Sequence, residues 1–242
     1  MPASQPLGRL YGISVGTGDP ELITLKGLRY LREAQVVAFP AGCEGQRGIA
    51  ERIVLPWLTQ PQELLALEFP YVRDEKVLQT AWEKAAAIVW ERLAQQKTVA
   101  FVCEGDVSFY SSFTYLAQTL QQHHPEAPIE IVPGISSPQA AAAILGIPLT
   151  CLGQRYVVLP ALYQLDELER VLAWAEVVVL LKVSSVYAQV WQVLRQRHLL
   201  AQSWVVERAT QPNQIVYRDL SDRPTLQLSY FSLLIIHNSN PA

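Results

Sequence analysis

One pattern recurs three times in the first part of the chain: a short apolar run, a turn containing glycine, then apolar or alanine-rich residues at helical spacing. The run from Leu10 to Val15 meets Gly16-Thr17-Gly18-Asp19-Pro20, after which Leu22, Leu25, Leu28 and Leu31 recur as on a helix. Thr98 to Cys103 leads into Gly105-Asp106 and a helix from about Ser111 to Gln121. Ile129 to Val132 leads into Pro133-Gly134 and an alanine-rich helix, Ser136 to Leu145, closed by Gly146. Short apolar strands alternating with helices require a mainly parallel sheet covered on both faces. Each turn then lies beyond the carboxyl end of a strand, where such sheets bind ligands. If the strands are neighbours, the turns line one crevice.

The remaining segments extend this frame. Val36 to Phe39 reads as a strand, closed by Pro40 and the glycines Gly42, Gly45 and Gly48, and Asp74 to Gln96 is the longest helical pattern, with Val77, Trp82, Ala85, Ile88, Val89 and Leu93 as its stripe. After Thr150 the texture changes. Tyr156–Leu159, Val177–Leu181, Trp204–Glu207, Ile215–Tyr217 and Ser232–His237 read as strands, but only Leu165–Ala173 and Val186–Arg195 read as helices. So few crossover helices predict a mixed sheet. The expected architecture is therefore an α/β chain of two domains, 1–151 and 152–242, each a sheet flanked by helices.

Charge and composition narrow the function classes. A net charge of -3 and the lack of a dense basic run argue against a nucleic-acid partner. The longest apolar stretches, such as Ala175 to Leu181 with Glu176 inside, fall short of the ~20 residues of a bilayer span. The first residues, Met-Pro-Ala-Ser-Gln-Pro-Leu-Gly-Arg, do not read as a secretory signal, so a cytoplasmic protein is expected. Cys43, Cys103 and Cys151 form no CxxC pair, and His123, His124, His198 and His237 are scattered, so neither a disulfide framework nor a metal site is expected. A small-molecule ligand is the better default.

Each turn by itself has two readings. The first fails as a nucleotide loop, because the glycine that GxGxxG needs is Glu21 and no GK[ST] follows. Asp19 at a helix start would also repel phosphate; Asp19-Pro20 equally suits a helix cap with proline just inside. In the second turn, Gly105 allows close approach to a ligand. Alternatively Ser111 or Ser112 simply caps a helix while Phe109, Tyr110 and Tyr115 pack inward. In the third, Ser136 stands at a helix start with Pro138 inside.

Their joint order carries more. The segments SVGTGDPELITLKG, EGDVSFYSSFTYL and VPGISSPQAAAAILGIPL resemble the tetrapyrrole (uroporphyrinogen and precorrin) methyltransferase family, whose turns read GxGxGD, GDPxxYS and PGxSxxxAxAAxxGxPL. The wording CEGDVSFYSSFTYL, LYGISVGTGDPELITLKG and VVAFPAG is most similar to the precorrin-2 C20-methyltransferase branch. The likeness extends through LLKV at 180–183, ERATQPNQIV at 207–216 and the terminal YFSLLII. Three positions depart from the family pattern: Ser14 replaces a glycine, Thr17 often a proline, and Val107 usually a proline. Valine at 107 is expected to loosen the second turn slightly.

The resemblance implies S-adenosylmethionine (SAM) as methyl donor, with S-adenosylhomocysteine as product, bound in a cleft between domains. Carried over position by position, Gly105, Asp106 and Phe109 meet the methionine and ribose parts, and Ser136 and Ser137 add hydrogen bonds. Lys182, Val183, Ala209 and Thr210 enclose the adenosine, mainly through main-chain groups. The implied acceptor is precorrin-2 or cobalt-factor II, methylated at C20 in corrin (cobalamin) biosynthesis, with Asp19 as candidate base for ring-proton removal. Arg29, Arg47 and Arg52 are candidates for meeting substrate carboxylates. A homodimer without nucleic-acid or membrane partners is implied. Alternatives are another member of the superfamily, such as a different precorrin methylase or diphthine synthase, and a non-catalytic tetrapyrrole-binding paralogue.

Overall fold

The computed structural model describes residues 6–42, 46–59, 61–70, 72, 74–161 and 164–238. Cys43 and Gly45 lie outside the described residues. By contacts the chain divides into two units, Met1–Ser136 and Ser137–Ala242.

The first unit is built on a five-stranded, wholly parallel sheet. Its strands are β1 (Leu10–Ser14), β2 (Val36–Pro40), β3 (Glu63–Leu67), β4 (Val99–Cys103) and β5 (Ile129–Val132), in the order β3-β2-β4-β1-β5. Every residue of β4 is buried, as expected of a strand covered on both faces. On one face Val36, Ala38, Val99 and Phe101 pack against α3 (Glu75–Ala94) and α4 (Ser112–His123). On the other, Ile13, Val37, Ala100 and Val102 pack against α1 (Leu25–Glu33) and α2 (Ile49–Val54). The predicted strand at 36–39 and the long helix at 74–96 are thus found within a residue or two.

The start of α1 differs from the sequence expectation. Asp19 and Pro20 open only a single 3-10 turn, Pro20–Leu22, and the α-helix begins afresh at Leu25 with Thr24 as its cap, whose hydroxyl accepts the Gly27 N–H at 3.1 Å. Leu25, counted into the helical stripe, is 88% exposed. Periodicity registers apolar spacing but not where the backbone breaks.

The second unit holds a five-stranded mixed sheet, in the order β6-β7-β10-β8-β9. Its strands are β6 (Tyr156–Leu159), β7 (Val177–Leu181), β8 (Ser203–Glu207), β9 (Ile215–Tyr217) and β10 (Ser232–His237). Only β6 and β7 run parallel; β10 is antiparallel to both β7 and β8. Helices α6 (Leu165–Leu172) and α7 (Tyr187–Gln196) cover a core of Leu168, Leu172, Val178, Leu180, Val190 and Leu234. Helix α5 (Ser137–Leu145) falls with this unit, because it packs on β10 and its last carbonyl accepts Arg218 Nη1–H at 2.8 Å. Gly146, at φ +69°, closes α5: its own N–H bonds Ala143 O and the Ile147 N–H bonds Ala142 O, the paired bonds of a Schellman motif.

Candidate active site

The three strands that lead into the glycine turns are adjacent, with β1 between β4 and β5. All run parallel, so the three turns emerge at one sheet end. Two sets of bonds tie them together. Gly16 and Gly105 exchange backbone hydrogen bonds across an antiparallel bridge, at 3.4 and 2.6 Å, joining the first turn to the second. Asp106 Oδ2 accepts the Gly134 N–H at 2.7 Å, joining the second to the third.

Asp106 is the centre of this cluster. Its Oδ1 accepts both the backbone N–H and the hydroxyl of Ser108, and its Oδ2 is 3.4 Å from Ser14 Oγ besides the Gly134 bond. Burial alone would raise its pKa, but these hydrogen bonds outweigh it and hold the carboxyl below the usual aspartate range. Both oxygens are therefore occupied within the protein. What Asp106 can offer a ligand is main chain, with the carboxylate fixing the turn that presents it.

Gly105 has φ +70°, and a Cβ placed there would find nothing nearer than Ser136 Cα at 4.0 Å. The positive φ excludes most side chains, and the space beside it stays open. Phe109 closes the turn by donating its N–H to Asp106 O at 3.0 Å, and its ring meets Tyr110 edge-on at 4.8 Å. Ser111 caps α4 by accepting the Phe113 N–H, and its Oγ lies 3.0 Å from Cys103 Sγ. Burial pushes that thiol up to about 12, so Cys103 is a packed group rather than a nucleophile.

Asp19 caps the first turn, accepting the Glu21 N–H at 2.9 Å, while Trp57 Nε1–H donates to Pro20 O at 3.1 Å and pins the turn from outside. Nothing in the sequence near Trp57 signalled that role. Of the arginines considered for carboxylates, Arg29 lies over the Tyr30 ring at 4.9 Å and Arg47 pairs with Glu51 at 3.3 Å.

In the second unit two of the residues carried over from the family, Lys182 (φ 55°) and Thr210 (φ 62°), sit on left-handed backbone without being glycine, as does Arg208 (φ 50°) beside Ala209. Such outliers concentrate at ligand-binding turns. The Lys182 ammonium lies over the Tyr230 ring at 5.2 Å, and the Thr210 N–H bonds Gln214 Oε1 at 2.8 Å. Val183 is fully buried in the core and Ala209 is 7% exposed, so contacts from these two positions to a ligand fall to the main chain. Ser136 is buried at the end of the first unit and Ser137 opens α5 in the second. Among the described residues no group of three or more His, Cys, Asp or Glu side chains could hold a metal ion. Nor is any helix there long and apolar enough to cross a membrane.

Two α/β sheets with three glycine turns bonded at one sheet end define a methylase class: residues 9–223 match the Tetrapyrrole (Corrin/Porphyrin) Methylases, and the chain belongs to that family. It is 31% identical to the cobalt-precorrin-2 C(20)-methyltransferase of Salmonella typhimurium, across 95% of this chain and 96% of that protein. It is 32% identical to the precorrin-2 C(20)-methyltransferase of a Sinorhizobium species, across 95% of each. Among solved structures, a cobalt precorrin-4 methyltransferase superposes with a TM-score of 0.75 at 22% identity, covering 98% of this chain and 97% of that one.

Proposed function

We propose that the protein transfers the methyl group of SAM to C20 of precorrin-2 or its cobalt-bearing form, in corrin biosynthesis, releasing S-adenosylhomocysteine. The observation that carries this reading is the bonding of the three turns through Gly16–Gly105 and Asp106–Gly134, in a chain whose full-length relatives act at C20. The sulfonium supplies an already activated methyl group. The protein's part is to hold donor and acceptor carbon in line and to keep water out.

In the first unit, Gly105 and Asp106 offer main-chain groups, Phe109 an aromatic face and Ser136 a hydroxyl. A sulfonium prefers carbonyl oxygens and aromatic faces to cations, which suits a turn whose Asp106 carboxylate is internally bonded. In the second unit, Ser137, Lys182, Val183, Ala209 and Thr210 are the proposed contacts, through backbone held open by the left-handed residues. C20 attacks the methyl carbon as the S–C bond breaks, and the ring then gives up a proton. Asp19, on the rim of the first turn, is the proposed acceptor for it.

We further take the protein to act in the cytoplasm as a homodimer. Free Cys103 and Cys151 suit a reducing compartment, and Val77 and Tyr115, each 46% exposed on α3 and α4, offer apolar surface for a second copy. The deciding experiment is incubation with labelled SAM and either metal-free or cobalt-loaded precorrin-2, with the added methyl located by mass and NMR. Methylation at C20 is expected. A methyl on another ring position would assign a different member of the family, and SAM binding without transfer would indicate a non-catalytic paralogue.

A further inference from the structure

Ser14 ends β1, the strand lying between β4 and β5, is fully buried, and makes bonds that span the turns on either side of it. Its hydroxyl donates to Val132 O at 2.8 Å and accepts the Val107 N–H at 3.0 Å. With its one hydrogen directed at Val132, the 3.4 Å approach to Asp106 Oδ2 is the weaker branch. One side chain thus connects the end of β5, the end of β1 and the turn after β4.

The valine at 107 explains why an acceptor is needed. Val107 is 1% exposed, so its N–H is beyond the reach of solvent and would be orphaned without Ser14. The family pattern of glycine at the first position and proline at the second has neither the hydroxyl nor the N–H. This chain has both. The local backbone accepts either solution: the Phe109 N–H to Asp106 O bond makes 106–109 a β-turn, and neither Val107 nor Ser108 is among the positive-φ residues. That is type I geometry, in which proline is favoured where Val107 stands. The expectation that valine loosens this turn is therefore reversed: the hydroxyl of Ser14 closes it.

We propose that Ser14 is a positioning residue for the methyl-donor turn, holding Val107 and Asp106 so that the Gly105–Phe109 segment presents its main chain to SAM. This rests on the reading of that segment as a SAM contact. It acts through the turn and touches neither the donor nor the acceptor.

The test is calorimetric SAM binding together with steady-state kinetics on four proteins: wild type, Ser14→Ala, Ser14→Gly and the double variant Ser14→Gly/Val107→Pro. Alanine removes only the hydroxyl, so Ser14→Ala and Ser14→Gly are both expected to raise the SAM Kd and KM about tenfold, the scale of one unsatisfied buried N–H. The kcat at saturating SAM and the KM for the tetrapyrrole should stay within about twofold, a division that general loss of folded protein would not give. Adding Val107→Pro, which removes the orphaned N–H, should bring the SAM Kd back to within about threefold of wild type. Unchanged SAM affinity in Ser14→Ala, or no recovery in the double variant, overturns the proposal while wild-type SAM binding keeps the methyltransferase reading. A wild type that binds no SAM overturns both.

Discussion

The carboxylate of Asp106 and the backbone N–H of Gly134 meet at 2.7 Å, bonding two turns that lie 28 residues apart in the chain. Replacing Asp106 by asparagine keeps the size but turns one acceptor into a donor. Either Gly134 and Ser14 or the two Ser108 groups then face an amide NH2. Loss of about 1–3 kcal/mol is expected from the unmade bonds, read as a lower denaturant midpoint at unchanged m-value. The pH dependence follows from the same bonds. A carboxyl held below its ordinary value stabilises the fold fully above that ordinary range, and the contribution disappears as pH falls through the depressed value. The acid limb of the stability curve should accordingly be shallower in Asp106→Asn than in wild type.

Gly134 must be glycine for a steric reason that depends on Ser14. A Cβ at 134 would lie 2.4 Å from the Ser14 Cβ, whereas the next nearest atoms, Ser14 C and O, stand at 3.4 Å. Gly134→Ala should therefore cost about 1–3 kcal/mol by overpacking in wild type. Most of that cost should vanish in the Ser14→Gly background, where the clashing carbon is gone. Thermal melts of the four proteins of this cycle measure the coupling; additive losses would show that the cost at 134 does not come from the Ser14 side chain.

Lys182 tests whether the second unit offers side chains or backbone. Its φ of 55° is one that glycine adopts freely, while the cation over Tyr230 and the greater unfolded-state freedom of glycine oppose any gain. Lys182→Gly should fold with stability within about 1 kcal/mol of wild type. Its KM for SAM should be unchanged within about twofold if the contact is main-chain. A rise of tenfold or more would assign the ammonium to the ligand.

An ion pair away from the turns supplies an acid-sensitive point in the second unit. Glu176 Oε2 accepts the Arg155 N–H at 2.7 Å and Nε–H at 3.1 Å, and Oε1 accepts Nη2–H at 2.7 Å, tying the starts of β6 and β7. The hydrogen bonds from the Arg155 side chain, then from its backbone, hold the Glu176 carboxyl down to about 2. Because the folded value is the depressed one, this contribution is complete above the ordinary value of 4.5 and is lost as pH falls toward 2. Glu176→Gln should match wild type in the slope of stability against pH above 5 and lack part of the fall between 4.5 and 2, as followed by circular dichroism during acid titration.

The contrast between what the sequence made legible and what it hid follows from range. Strands β4 and β7 are uninterrupted apolar runs, β1 is mostly apolar and runs into a glycine turn, and Gly146 marks its helix end locally, so each could be read from a few neighbours. Strand β3 was missed because it is an edge strand of sequence ELLAL with only Leu67 buried, a pattern equally suited to a helix. Helix α2 is six residues long, too short for periodicity to register. Of the site, the glycine turns were legible because turn chemistry is local. The bonds that make them one structure were not: Ser14 and Val107 are separated by 93 positions, and only the sheet order β4-β1-β5 brings them together.

Asp19 is where capping and chemistry can be separated by one substitution. Its carboxylate accepts the Glu21 N–H at 2.9 Å, and asparagine caps as well as aspartate, so Asp19→Asn should leave the melting temperature nearly unchanged. An asparagine cannot take up a ring proton at neutral pH. If Asp19 is the base, kcat should fall by about 10²–10⁴ while the SAM Kd holds, and the acidic limb of the kcat profile should disappear. Asp19→Ala would lower both stability, by about 1 kcal/mol, and turnover. Full turnover in Asp19→Asn with an unaltered pH profile would leave Asp19 a cap alone, and the proton would have to leave through another group or through water. Because donor binding is assigned to the second and third turns, a fall in SAM affinity in Asp19→Asn would contradict the division of labour itself.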